Sequence, residues 1–173
     1  MLNGDERREK ILEILGKSTE PVSGTALSKL LGVSRQIVVQ DVALIRAVNK
    51  NIMATNKGYI LYTEKETDKS RRTLCLKHTN EQMSDELNTI VDLGGKVLDV
   101  VVDHEIYGQI MVDLIINNRH DVEDFIKKVE KGGASPLNAL TNGVHYHTIT
   151  AESEETLNAI EDKLRKKGYI YNA

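Results

Sequence analysis

The sequence predicts an α+β chain of two domains, a small, mainly helical one followed by a larger sandwich of strands and helices. Three observations predict it. Residues 1–62 carry nine Lys/Arg and six Asp/Glu, net +3, while residues 63–173 carry 14 bases and 20 acids, net −6. Thr63 to Ser70 holds no apolar side chain that could anchor to a core, so residues 63–70 are expected to link domains spanning 1–62 and 71–173. Three helix-period segments and a hairpin precede that stretch, whereas strand and helix patterns alternate after it.

Composition narrows the function classes. The 173 residues are 40% apolar, enough for a real core. The single cysteine, Cys75, excludes an intrachain disulfide and a thiolate zinc cluster, so any metal must use histidine and carboxylate ligands. A net charge of −3 excludes a histone-like polycation. No apolar run approaches the roughly 20 residues that span a bilayer. No basic-then-apolar leader opens the sequence, so a soluble cytoplasmic protein without membrane contact is expected.

The first helix presents Ile11, Leu12, Ile14 and Leu15 on one face and should stop near Gly16. After Pro21, Ser23 can cap a second helix carrying Ala26, Leu27, Leu30 and Leu31. Gly32 can take the left-handed conformation that ends it, and Ser34 caps a third helix at once, the tight connection of a helix-turn-helix. In that helix Val38, Val42 and Ile45, flanked by Ile37 and Leu44, face the core. Ile52 to Thr55, the turn Asn56-Lys57-Gly58 and Tyr59 to Tyr62 then predict a hairpin, or wing.

The opposite side of the third helix fits a major groove. Gln36 and Gln40 can bond adenine edges, Arg35 can read guanine or hold phosphate, and Val39 can meet a thymine methyl. With Ser34 at the helix start and Lys57 at the wing tip, these six residues are the expected DNA contacts, and the partner is double-stranded DNA.

The second domain is expected as strand Arg72–His78, helix Ser84–Leu93, strands Lys96–His104 and Gly108–Asn117, and helix Val122–Lys131. A Gly/Pro/Asn loop leads to strand Val144–Thr150, helix Glu154–Lys167 and a short strand at Tyr169–Tyr171. This order suits helices on one face of a largely antiparallel sheet.

Within it, the strand period of two puts His145 and His147 on one face, with Cα atoms roughly 6.6 Å apart. The same parity places His78 at the end of the row Leu74, Leu76, and helical spacing from Met83 and Ile90 puts Glu86 on a buried stripe. Three imidazoles and a carboxylate at one place would suit zinc, nickel, iron or copper rather than magnesium or calcium. The plainer alternative is satisfied histidines at strand ends and an acid stabilised by its helix dipole.

Several segments carry a resemblance. Leu31 to Asp41 and the wing's Gly58-Tyr59-Ile60-Leu61 resemble the winged helix-turn-helix of the biotin-operon-repressor type. Asp103 to Gly108, Arg119 to Phe125 and Pro136 to Ile149 resemble the 3H domain, named for its histidines. Together they are similar, over nearly the whole chain, to the niacin-responsive repressor family. That resemblance implies an HPr-like second domain and a repressor of niacin-uptake and NAD-synthesis genes, with nicotinic acid as corepressor, while the outward Gln36 and Gln40 with Lys57 predict a homodimer on a palindromic operator. The resemblance also implies nickel or zinc at His78, Glu86, His145 and His147. The family's usual proline after the Asp-His pair is Glu105 here.

For the effector, His104 could line the pocket, Tyr107 could stack on a pyridine ring, and the planar fork of Arg119 matches a carboxylate. An exposed loop histidine and a surface arginine near Asp121 are the alternatives. Two other classes stay open: a repressor for which the ion itself is the signal, and a metal-dependent hydrolase using Asp103 or Glu105 as base, which no HExxH or nucleophile motif supports.

Overall fold

A computed structural model describes residues 2–48, 51–61 and 69–172. The chain divides into two compact units, Met1–Lys65 and Glu66–Ala173. Residues 62–68, most of the expected linker, lie outside the described residues, and Ser70 already opens a strand.

The N-terminal unit holds helices α1 (Gly4–Lys17), α2 (Gly24–Leu31) and α3 (Arg35–Val48) and strands β1 (Ile52–Thr55) and β2 (Gly58–Leu61). Asn3 and Glu6 bond each other's backbone amides at the start of α1, a reciprocal cap. Ser23 caps α2 through the Ala26 amide, and Gly32 ends it at φ 65°. The core is Ile11, Leu15, Leu27, Val38, Val42, Ile45 and Ile52.

Two features correct the expected packing of α3. Leu44, expected at the flank of the core, is 53% exposed. Asp41, absent from the expected core, is buried, its carboxylate paired with Arg7 and Arg8 of α1. Residue 41 follows Val38 by three and so shares its face. An acid survives there because two guanidiniums meet it.

A further strand segment was not expected. Val22, between α1 and α2, exchanges both backbone hydrogen bonds with Tyr59 of β2, at 2.8 and 2.9 Å, so the connection between the helices joins the wing. Gly58 permits that approach. A Cβ there would lie 2.5 Å from the Val22 carbonyl oxygen, and φ is 138°, a region L side chains avoid.

The C-terminal unit runs β3 (Ser70–Lys77), α4 (Met83–Asp92), β4 (Lys96–His104), β5 (Gly108–Ile116), α5 (Arg119–Lys131), β6 (Val144–Ala151) and α6 (Glu154–Lys166). Single turns of 3-10 helix precede α4 and β6. Its strands are ordered β5-β4-β6-β3, every pair antiparallel. Leu87 and Ile90 of α4, Val122 of α5 and Leu157, Ile160 and Leu164 of α6 share one core with Leu74, Leu76, Val97, Ile116 and Ile149, so the helices cover one face. The expected last strand is reduced to one bridge between Leu76 and Ile170, and α5 starts three residues earlier than expected because Asn118 caps it.

Between β4 and β6 the register slips. Val97 faces Ile149 but Val101 faces Tyr146, so four steps along β4 match three along β6. Such a bulge twists the strand and frees backbone groups for other partners.

Gly58→Ala should destabilise the N-terminal unit by about 1–3 kcal/mol, since backbone strain and a displaced carbonyl add. Thermal unfolding and amide exchange check this: the Val22 and Tyr59 amides should lose protection before the rest of the unit.

Candidate metal centre and DNA-reading face

The four residues singled out as ligands come together at one end of the C-terminal sheet. β3 and β6 pair Leu76 with His145 and Leu74 with His147, so the two imidazoles stand on the helix-covered face, and His78 follows where β3 ends. Glu86 reaches the same place from the first turns of α4. One nitrogen or oxygen from each of His78, Glu86 and His145 lies within 4.8 Å of the others. His147 adds its Nε2 at 3.7 Å from Glu86 Oε1, and His78 Nε2 is 3.5 Å from Glu86 Oε2. Donors held by one tetrahedral ion at about 2.1 Å stand roughly 3.4 Å apart. The separations at Glu86 are of that size and too long for good hydrogen bonds.

Each ring is oriented from behind. His78 Nδ1 donates to the Thr79 carbonyl at 2.8 Å, His145 Nδ1 to the Gly143 carbonyl at 2.9 Å, and His147 Nδ1 to the Asp99 carbonyl at 2.6 Å. A carbonyl only accepts, so every Nδ1 carries a proton, and Nε2 keeps its lone pair in each ring that is neutral. Asp99 lies in the β4 bulge, and its carboxylate also accepts the Thr148 amide at 2.8 Å, which fixes β6 beside His147. Sequence reasoning missed Asp99. A register slip is a property of two strands, and neither strand's pattern alone carries a signal for it.

The electrostatics differ between the rings. Burial, with His147 second, pushes His145 down to about 4, so the ring is neutral at neutral pH. Burial works against the charged forms of Glu86 and His78 as well. For Glu86 the three imidazoles, His147 foremost, outweigh it and hold the carboxyl below its usual range; for His78 the nearby Glu86 outweighs it and raises the ring. Glu86 is 0% exposed, and neither of its oxygens nor His78 Nε2 has a hydrogen-bond partner among the described residues. Unpaired buried atoms are rare and costly, and these three lie in the cluster formed by His78, Glu86 and His145, a donor set that suits an ion.

The loop before β6 shapes the floor of the site. Asn142 is left-handed at φ 51°, and Gly143 at φ 87° brings its Cα against the backbone of His78, where a Cβ would be 2.5 Å from the carbonyl oxygen.

Of the residues expected to touch the effector, His104 and Tyr107 lie at the β4–β5 turn and Arg119 at the start of α5. His104 Nδ1 accepts the amides of Ile106 and Tyr107 at 3.2 and 3.3 Å, and its ring stacks on Tyr107 at 4.9 Å, so both residues cap the exposed β4–β5 turn. Arg119 clasps Asp92 with two bonds of 2.7 and 2.6 Å. Its fork is thus committed at the last residue of α4, six residues or about 9 Å along the helix from Glu86. His120 is exposed, 3.4 Å from Asp124.

On α3, Arg35, Gln36, Val39 and Gln40 are exposed, opposite the buried Val38, Asp41, Val42 and Ile45. Ser34 Oγ accepts the Ile37 amide at 3.3 Å and so caps the helix. Lys57, in the β1–β2 turn, is half-buried, and its amide donates to Thr55 Oγ1 at 3.1 Å.

Comparison with known proteins adds the following. Residues 71–173 match the 3H domain and residues 7–60 an HTH domain. A Thermotoga maritima protein named "Probable transcription repressor NiaR" is 41% identical over 165 residues, covering 95% of this chain and 93% of its own length. The Bacillus subtilis "Transcription repressor NadR" is 36% identical over 171 residues, covering 98% of this chain and 95% of its own.

Gly143→Ala should press on the His78 carbonyl and turn that ring away from Glu86. The expected result is a lower thermal midpoint together with a shift of the His78 imidazole resonances in NMR, while the N-terminal unit keeps its spectrum.

Proposed function

Because the chain belongs to the family of transcription repressors that join a helix-turn-helix domain to a 3H domain, we propose that it represses niacin-uptake and NAD-synthesis genes in the cytoplasm, with nicotinic acid as corepressor. DNA binding and repression come with the family. The finer reading adds one divalent transition ion, nickel or zinc, held by His78, Glu86, His145 and His147, and a homodimer on a palindromic operator. The observation that carries it is the buried Glu86 carboxylate, unpartnered among the described residues and facing imidazoles whose Nδ1 atoms are all engaged.

When bound, the ion supplies a Lewis-acid centre with room for a carboxylate or a pyridine nitrogen beyond four protein donors. The protein's part is orientation. The carbonyls of Thr79, Gly143 and Asp99 hold the rings, and burial of His145 keeps its nitrogen free of a proton. A corepressor shifts operator affinity only by its differential affinity for the DNA-competent state, so operator must tighten nicotinate binding by the factor by which nicotinate tightens operator binding.

Elemental analysis and calorimetry test this. Wild type reconstituted with nickel or zinc should hold about one ion per chain, consistent with a single four-donor set. Replacing any one of the three histidines by alanine should strip most of it without unfolding the unit. Nicotinate should bind the loaded protein and lose affinity after chelation. Affinity unchanged by chelation would assign the ion a structural role, and operator binding that follows metal alone would make the ion the signal.

On the DNA side, Gln40→Ala should change base preference, whereas Lys57→Ala should weaken all sequences alike and flatten the salt dependence. A mobility-shift series over salt and operator variants reads both, with half-sites expected about 34 Å apart or a multiple of that.

A further inference from the structure

Six buried side-chain atoms have no hydrogen-bond partner among the described residues: His78 Nε2, both Glu86 oxygens, Asn88 Oδ1, and Oδ1 and Nδ2 of Asn138. The first three belong to the candidate centre. Asn88 is half-buried and its amide nitrogen reaches Ser84 Oγ at 3.3 Å, so that side chain is anchored. Asn138 differs from all of these. It is 4% exposed, and both ends of its amide are unsatisfied.

The backbone carbonyl of Asn138 is employed. Its carbonyl accepts the Gly143 amide at 2.9 Å and the Thr141 hydroxyl at 3.3 Å. Gly143 in turn gives its carbonyl to His145 Nδ1 and presses on the backbone of His78. The turn that carries Asn138, residues Leu137–Thr141, therefore belongs to the loop that braces two of the three imidazoles. The turn keeps a donor and an acceptor out of water without pairing either among the described residues, at a residue that two hydrogen bonds through Gly143 connect to the His145 ring. Where a fold needs only a filled space, an apolar side chain branched at the same carbon, such as leucine, carries no such cost.

We propose that the Asn138 amide is a specificity-determining contact for the small organic ligand of this centre, with Nδ2 donating to an acyl oxygen of a planar heteroaromatic acid or amide. The proposal rests on the reading that such a ligand binds at the 3H centre, and it names the residue that recognises the ligand. An amide side chain offers a donor and an acceptor side by side. A carboxamide can take both, and a carboxylate takes the donor alone.

The test is calorimetry of nicotinate and of nicotinamide into the metal-loaded full chain, for wild type, Asn138→Leu and Asn138→Asp, beside metal content and the thermal midpoint of ligand-free protein. Asn138→Leu should lose about tenfold or more in ligand affinity at unchanged metal content. Its ligand-free midpoint should equal or exceed that of wild type, because two unpartnered polar atoms are replaced by apolar ones. Asn138→Asp, which trades the donor for a charge, should weaken nicotinate more than nicotinamide. Wild-type affinity in Asn138→Leu, or a midpoint well below wild type, overturns the proposal and makes the residue structural. Should wild type bind neither compound, the ligand reading of the centre falls with it; binding by wild type and by Asn138→Leu alike removes the Asn138 contact alone.

Discussion

A carboxylate removed from water must be met by charge or by hydrogen-bond donors, and at Glu86 the groups within reach are imidazoles. Leaving an ion buried and uncompensated costs several kcal/mol, comparable to the whole stability of a domain. The C-terminal unit is arranged around meeting that cost. β3 ends at His78, β6 begins with His145 and His147, and α4 starts where its first turns aim Glu86 between them. The three rings cannot turn to donate to Glu86 through Nδ1, because that proton is already spent on a backbone carbonyl. With the Nδ1 protons committed, the groups that face Glu86 are the Nε2 edges of the rings, the donor set that the proposed cation would take.

Two backbone irregularities make this orientation of the rings possible. The β4 bulge takes the Asp99 carbonyl out of the regular ladder and gives it to His147, and the left-handed Asn142-Gly143 turn lets the loop close on His78. Regular sheet supplies the spacing of the histidines, and the departures from regular sheet supply their orientation.

The division also explains what was legible in the sequence. Hydrophobic period and caps located the six α-helices of the described residues, because Ser23, Gly32 and Ser34 act within a few residues of themselves. Strand parity grouped His78, His145 and His147, since a period of two survives whatever the sheet does elsewhere. What could not be read depends on partners distant in the chain: the Val22–Tyr59 pairing, the bulge at Asp99, and Asp41, which reads as a polar residue until Arg7 and Arg8 are beside it. The pairing of Arg119 with Asp92 has the same origin. Its residue type suits a carboxylate, and the carboxylate it meets is Asp92, 27 positions away.

The burial of Asp41 has a consequence for how such a repressor can change. Val38, Asp41, Val42 and Ile45 tie α3 to the rest of its unit, while Gln36, Val39, Gln40 and Ala43 take no part in that packing. The outward side can be rewritten residue by residue at little cost in folding, because surface substitutions usually move stability by half a kcal/mol or less. On the proposed reading of that face, operator preference and folding stability are separately adjustable on one helix, and the N-terminal unit is a scaffold that could be retargeted to new DNA sequences without redesigning its core.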